Sequence, residues 1–510
     1  MFALLDAGKM VVFLFGGGLL VSTCITLICI ELISEKYVAL RVLYNIFLHP
    51  LRHYPGPMWW GATRLNWVVA LQRGYLHQDL LRLHDQCGPV VRVAPNELSY
   101  IDAQAWKDIY ISRPGHTVFE RNPVWFRKKP TEPWSIMGYN EDAHARFRRA
   151  FMGSFSEKAV MDQSPLVEKY VETMIQRFKE VAGSESATVD AVSWLNFVTF
   201  DISADLSFGQ SFESTSKSQP HPWVEIACRF GKGVALVASI NHYGPLESLL
   251  RMALPKKVRE KMIYHRELTA QMVRQRLQLP DERPDFVNAV LKYNQEKTEK
   301  VTTEELELNM SVIVFAGSET TSTAMASALF HLLKTPAAMR RVTEEVRAAF
   351  DREEDIDVNS SSKLEYLSAI INEAMRLGPP SAIGVPRVVP GRGEEICGKW
   401  VPGGTFVSVN QYPAFRSATN FSNPQAFIPE RFLDKQSPND DLDVFQPFAV
   451  GRHMCIGQKF AWAEMRLILA RLLYAFDISW DVAPTIDDWG DQQTFIFWQK
   501  EPLQIKLKRR

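Results

Sequence analysis

From Thr302 to Lys334 apolar residues return at helical spacing, and no proline interrupts the run. Leu306, Met310, Ile313 and Val314 mark the stripe, and Thr302-x-x-Glu305 has the form of a capping box. At about 1.5 Å per residue this helix is roughly 45 Å long. It crosses a whole domain, so the rest of the chain has to pack around it. Thr335-Pro336 stops it and caps a second helix running to about Phe350. Lys363 to Leu377 predicts another, ended by Gly378-Pro379-Pro380, and Ile456 to Phe476 one more. Strand signals are short. Gly88 to Ile101 reads as a hairpin broken by Pro95, and Val385–Val389 and Phe406–Val409 as strands around Gly-rich turns. Residues 411–454 follow neither period, and an irregular stretch of that length is usually functional. The expected fold class is mainly α with a small β part. The 510-residue length alone suggests roughly three domains, but no linker divides residues 58–510.

The N-terminus has a different character. Met10 to Ile30 contains no charge and is long enough to span a bilayer as a helix. A cleaved signal peptide is the alternative, but the basic segment before the apolar run is thin, with Lys9 alone. Lys36, Arg41 and Arg52 follow the span, which places the body in the cytosol. The expected layout is therefore an anchor over 1–32, a juxtamembrane segment and Pro-rich hinge over 33–57, and a catalytic domain over 58–510. Six irregularly spaced cysteines do not form a disulfide framework and agree with a reducing compartment. Lys+Arg and Asp+Glu are 58 each, which leaves no electrostatic footprint for nucleic acid.

Two segments carry chemistry. Phe448 to Gly457 sets Cys455 between a Gly-containing loop and the start of a helix. The helix N-terminus favours a thiolate there. A lone thiolate without Cys or His at zinc spacing suits an axial haem ligand, and an inert buried Cys is the alternative. In the middle of the long helix stands Ala316-Gly317-Ser318-Glu319-Thr320-Thr321. A mid-helix Gly costs about 1 kcal/mol relative to Ala. An acid beside hydroxyls in an apolar helix is either an exposed polar face or a pair that moves protons in a dry pocket.

Phe448, Gly451, Cys455 and Gly457 resemble the FxxGxRxCxG haem loop of the cytochrome P450 family, with His453 where the family has Arg. Ala316 to Thr320 is similar to that family's [AG]Gx[DE]T motif, Glu373 and Arg376 to its ExxR, and Pro429 to Phe432 to its PxRF segment. His144 and Arg148 fall on WxxxR, with His in place of Trp, and Arg387 on a basic position that meets a haem propionate. Gly378 stands where family members usually carry an aromatic residue or His. The resemblance implies a cytochrome P450 fold preceded by one transmembrane helix. It implies haem b on Cys455, with His144, Arg148, Arg387 and His453 toward the propionates. Glu319 and Thr320 would relay protons, and Gly317 would leave room above the haem. Glu373, Arg376 and Arg431 would form a structural charge network. The anchor and hinge resemble microsomal members. Pro386–Pro390, Pro402–Thr405 and Ala463–Leu473 are similar to fungal secondary-metabolism members of the isotrichodermin 15-hydroxylase type.

A membrane-anchored monooxygenase at the endoplasmic reticulum follows, hydroxylating a hydrophobic small molecule with dioxygen. The chain has no nicotinamide- or flavin-binding Gly motif of its own. Electrons from NADPH would therefore come through a partner, NADPH–cytochrome P450 reductase. Phe119, Trp125, Phe126 and Phe230 are candidate pocket walls. Desaturation, epoxidation, ring formation or rearrangement on the same fold is the alternative, and a non-catalytic haem-binding protein the remote one.

Overall fold

The computed structural model describes residues 36–125, 132–228, 230–244, 252, 256–279, 283–433 and 439–510. The apolar stretch Met10–Ile30, expected to anchor the chain, lies outside them. Among the described residues no helix is long and apolar enough to cross a membrane.

The central helix spans Thr303–Lys334. The Thr302 hydroxyl accepts from the Glu305 amide, and the Glu305 carboxylate accepts from the Thr302 amide, closing the capping box. Arg146 also grips Glu305, at 2.6 and 2.8 Å, which ties the start of this helix to the helix Glu141–Met152. Beyond Thr321 the central helix is buried on every side as far as Leu332. That needs neighbours all round, and they are the helices Ala191–Phe208, Lys256–Arg276, Glu365–Leu377 and Gln458–Ala475. The small residues of Thr321-Ser322-Thr323-Ala324-Met325-Ala326-Ser327-Ala328 let those helices approach closely.

Among the described residues four small sheets lie around this bundle. The largest has five strands in the order Val90–Ala94, Glu97–Tyr100, Phe406–Val409, Arg387–Val388 and Glu120–Arg121. The hairpin expected over 88–101 forms, and its second strand pairs in parallel with Phe406–Val409. The last pair sets Arg121 directly opposite Arg387. A three-stranded sheet joins Ala187–Asp190, Gln504–Arg509 and Phe476–Trp480.

The irregular segment 411–454 contains one short helix, Gln411–Arg416, and 3-10 turns at Pro429–Phe432, Leu442–Val444 and Gly451–His453. Coil can be buried only if its carbonyls find donors. Arg376 supplies several: Nη1 donates to the Phe415 and Pro424 carbonyls at 2.9 and 2.7 Å, and Nη2 to Ala426 at 3.0 Å.

The Pro-rich segment is hydrogen-bonded to the body. The Arg92 amide donates to the Pro55 carbonyl at 2.7 Å, and Arg92 Nη1 to the Asn45 carbonyl at 3.0 Å. Asn45 Nδ2 in turn donates to Ala62 at 2.8 Å. Gly56 has φ +153°, and a Cβ there would sit 2.6 Å from the Arg92 carbonyl oxygen, so only glycine fits against the strand.

Candidate active site

The Cys455 loop is shaped by its backbone. The Cys455 amide donates to the Phe448 carbonyl at 2.9 Å, and Met454 to Gly451 at 3.1 Å. Gly451 has φ +75°, and a Cβ there would lie 2.0 Å from the Tyr110 carbonyl oxygen. No other residue suits both the turn and that close approach. Gly457 leads into the helix Gln458–Ala475, and its amide faces the Cys455 sulfur. The Phe448 ring packs at 6.3 Å from that of Trp462 on the same helix.

Cys455 is accessible to solvent-sized contact although protein surrounds it, so its sulfur borders an interior surface. That low-polarity surround pushes the thiol pKa up, while the Gly457 amide and the Arg148 guanidinium pull it down. The sequence led us to expect a net lowering from the helix N-terminus, and desolvation outweighs it here. A bound metal ion reverses the balance, because a coordinating thiol is deprotonated outright.

Beside the loop stands a cluster of cations. Arg121 and Arg387 are both buried and face each other across the sheet. Like charges directly opposite each other destabilise a strand pair. Arg121 Nη1 donates to the Ile136 carbonyl at 2.7 Å. Arg387 lies over the Tyr110 ring at 5.3 Å, and its Nε and Nη1 have no hydrogen-bond acceptor. Arg148 Nη1 donates to the Met454 carbonyl at 2.6 Å. His144 Nδ1 meets the Ile136 carbonyl at 2.7 Å, and its ring lies 4.2 Å from that of His453. His453 Nε2 is 3.1 Å from Glu141 Oε1. Burial, then Arg121 and Arg387, push the His453 pKa far down. His144 is shifted down as well, by burial and by Arg121. Glu141 is the carboxylate of this cluster, and it faces several cations. Orphaned buried guanidinium donors beside a lone thiol fit a flat cofactor that carries carboxylates at one edge, which describes haem.

On the central helix, Ala316 is exposed although Val314 and Ser318 beside it are buried. The surface it borders is internal, since the helix crosses the core. The Thr320 hydroxyl donates to the Ala316 carbonyl at 2.7 Å, and Thr321 to Gly317 at 2.6 Å. A Cβ on Gly317 would approach Ser203 Oγ to 3.2 Å, so this glycine serves the packing of Ala191–Phe208 on the central helix. Glu319 is buried and does not face Thr320. Its Oε1 lies 2.9 Å from Lys500 Nζ. The crossing of the central helix with Gln458–Ala475 brings buried Glu464 near Thr321. Both Glu464 oxygens are without a hydrogen bond, and burial raises the pKa well above the usual carboxylate value.

Glu373, Arg376 and Arg431 come together against the coil of residues 415–428. Arg376 meets Glu373 through two bonds of 2.7 and 2.8 Å, and Arg431 Nε stands 3.4 Å from Glu373 Oε1. Arg431 Nη1 also reaches Asp440 at 2.5 Å. Gly378 has a local reason: a Cβ there would fall 2.4 Å from Trp489 Cδ1. The Trp489 indole fills the space that a side chain at 378 would take.

Of the candidate pocket walls, Phe119 is buried against the five-stranded sheet, and Trp125 meets Trp67 edge-on at 5.9 Å. Phe126 and the Phe230 side chain lie outside the described residues. Sequence reading missed Arg121, Glu141, Lys500 and Glu464. Each is a single charged residue in a short or unremarkable segment, and only the tertiary pairing singles it out.

The comparisons with known proteins agree with this geometry. The Cytochrome P450 family profile matches residues 55–507. The chain is 39% identical over 475 residues to the cytochrome P450 monooxygenase astJ of Aspergillus oryzae, covering 92% of this chain and 94% of that protein. It is 37% identical to the cytochrome P450 monooxygenase atr2 of Stereocaulon alpinum, covering 94% and 95%. It is 38% identical to the cytochrome P450 monooxygenase astA of Talaromyces wortmannii, covering 95% and 98%.

Proposed function

The chain belongs to the cytochrome P450 family and is a P450 monooxygenase, and on that premise we propose that it hydroxylates a hydrophobic small molecule of fungal secondary metabolism. The observation that carries this reading is the pairing of a lone accessible thiol, Cys455, with the buried arginines 121 and 387. Bound haem supplies the oxygen-activating chemistry.

The chain's own residues do the rest. Cys455 would hold the iron. Arg121, Arg148 and Arg387 would neutralise the propionates, with His144 and His453 as neutral neighbours. Buried carboxylates require such partners. Thr320 holds a hydroxyl proton against the Ala316 carbonyl, beside the exposed methyl of Ala316, where an apolar substrate would contact the helix. Glu319 follows as the acid that resupplies Thr320. Glu373, Arg376 and Arg431 hold the backbone that presents Cys455, a role in stability. The substrate class, of the kind taken by isotrichodermin 15-hydroxylase-like enzymes, rests on likeness of motif. The same holds for an anchor over 1–32, a juxtamembrane hinge over 33–57, the endoplasmic reticulum membrane and its lipid, and electrons from NADPH through NADPH–cytochrome P450 reductase.

The first test is the absorption difference spectrum of the reduced protein with and without carbon monoxide. A strongly red-shifted Soret band, lost in Cys455→Ala, supports thiolate ligation. A band at the position of His-ligated haem, or retained turnover in Cys455→Ala at normal haem content, refutes it. Products from candidate substrates then separate the reactions: hydroxylation adds one oxygen, whereas desaturation removes two hydrogens.

A further inference from the structure

One face of the helix Glu141–Met152 meets three consecutive residues of the Cys455 loop. Glu141, His144 and Arg148 are spaced i, i+3 and i+7, which stacks them on one side of that helix. The Arg148 guanidinium donates to the Met454 carbonyl at 2.6 Å. The His144 ring lies 4.2 Å from that of His453. Glu141 reaches two loop residues with its two oxygens: Oε1 lies 3.1 Å from His453 Nε2, and Oε2 lies 3.5 Å from Arg452 Nη1.

Glu141 opens its helix, but the helix does not need it as a cap. The Asn140 side chain already accepts from the Ala143 amide at 2.8 Å. Both Glu141 oxygens are shielded from solvent, and neither makes a directed hydrogen bond. A buried carboxylate is costly unless cations compensate it. Arg121 and Arg387 do so from the sheet, where the Glu141 charge holds up the pKa of each against the lowering effect of burial. Arg452 does so from the loop.

We propose that Glu141 sets the reduction potential of the bound haem: its carboxylate places a negative charge beside the Cys455 loop and makes the cofactor harder to reduce. Reduction adds one electron at this site, and a negative charge nearby opposes it. A unit charge about 12 Å away shifts an equilibrium about tenfold at an effective dielectric of about 20. His453 stands two residues from Cys455, a span of at most about 7 Å, so Glu141 acts within that range. The arginines of the cluster pull the other way, and Glu141 sets how far their pull is offset. This inference rests on haem held by Cys455.

The test is a reductive titration of the substrate-free holoenzyme, with dithionite as the electron donor and mediator dyes, read from the Soret band. Glu141→Gln keeps the shape and an acceptor oxygen and removes the charge. It should favour the reduced protein about tenfold, which is about 59 mV for one electron, with haem content and carbon monoxide spectrum unaltered. Glu141→Asp keeps the charge and should return the wild-type potential. The proposal is overturned if Glu141→Gln shifts the equilibrium by less than about twofold. It is overturned equally if Glu141→Asp shifts it as far as Glu141→Gln does, since packing and not charge would then be the cause. Should Glu141→Gln fail to bind haem, His453→Arg sets a cation against the same carboxylate and must raise the potential in its place; an unmoved potential there overturns the proposal. A wild-type carbon monoxide spectrum without the red-shifted Soret band would instead refute thiolate ligation, independently of Glu141.

Discussion

Replacing Arg376 by Met tests what holds the buried coil of residues 415–426 in place. The guanidinium has five N–H groups, and the structure gives it five acceptors: two oxygens of Glu373 and the carbonyls of Phe415, Pro424 and Ala426. Both side chains of the ion pair are fully buried. Breaking such a pair from one side costs about 3–5 kcal/mol. Each buried carbonyl left without a donor adds about 1–3 kcal/mol. Even the lower bounds come to about 6 kcal/mol, comparable to the whole stability of many domains, roughly 5–15 kcal/mol. Arg376→Met should therefore yield almost no haem-loaded protein. The double variant Glu373→Met/Arg376→Met should give no recovery, because Glu373 also accepts from Arg431 and from the Ile428 amide and the three carbonyls stay unpaired. The assay is the carbon monoxide-binding Soret per mole of protein, together with the guanidinium midpoint of unfolding. The reasoning fails if the single variant unfolds within about 1 kcal/mol of wild type, or if the double variant is clearly more stable than the single.

Arg121→Ala and Arg387→Ala should each speed haem transfer to apomyoglobin about ten- to a hundredfold, the value of one charge-assisted bond to a propionate; unchanged transfer removes that arginine from the cradle. Thr320→Ala should raise peroxide release per NADPH several-fold with the carbon monoxide spectrum unaltered, and constant coupling would exclude it from the relay. Glu464 gives a pH prediction with a definite sign. Its folded pKa is raised, so at low pH both states are protonated and nothing is lost. As pH rises past the unfolded value only the unfolded chain ionises, and stability falls until the folded pKa is reached. Glu464→Gln should abolish this fall, so the Tm gap between variant and wild type should widen in the variant's favour as pH rises above the unfolded carboxylate value. A pH-independent gap would show that Glu464 is ionised in the folded protein.

Much of the architecture was legible because local rules and tertiary packing agree. The capping box at Thr302, Pro336 at the start of its helix, and the glycines at 378 and 451 each have a local signature. Each also has a steric reason in the fold, such as the Trp489 indole beside Gly378 and the Tyr110 carbonyl against Gly451. The Glu373–Arg376 spacing was equally plain, though i,i+3 pairs are common on any helix surface, and only burial gives this one its weight. Arg121 was not legible, since a two-residue strand leaves no periodic trace. Lys500 was hidden because its partners Asn196, Glu319, Ser322 and Thr323 are remote in sequence. Glu319 and Thr320 are neighbours along the chain, and helical rotation sets their side chains about 100° apart.

The grip of Arg92 on the Asn45 and Pro55 carbonyls sets where the chain can be cut. A truncation starting at residue 36 retains both acceptors. One starting at the apparent boundary, residue 58, strips the Asn45 carbonyl from a guanidinium whose pKa burial already lowers to about 10, and the Pro55 carbonyl from the Arg92 amide. It would also uncover the strand edge that Pro55 now occupies and leave Gly56's close approach to Arg92 unfilled. For anyone shortening this protein, the proline-rich stretch is part of the load and should travel with the body.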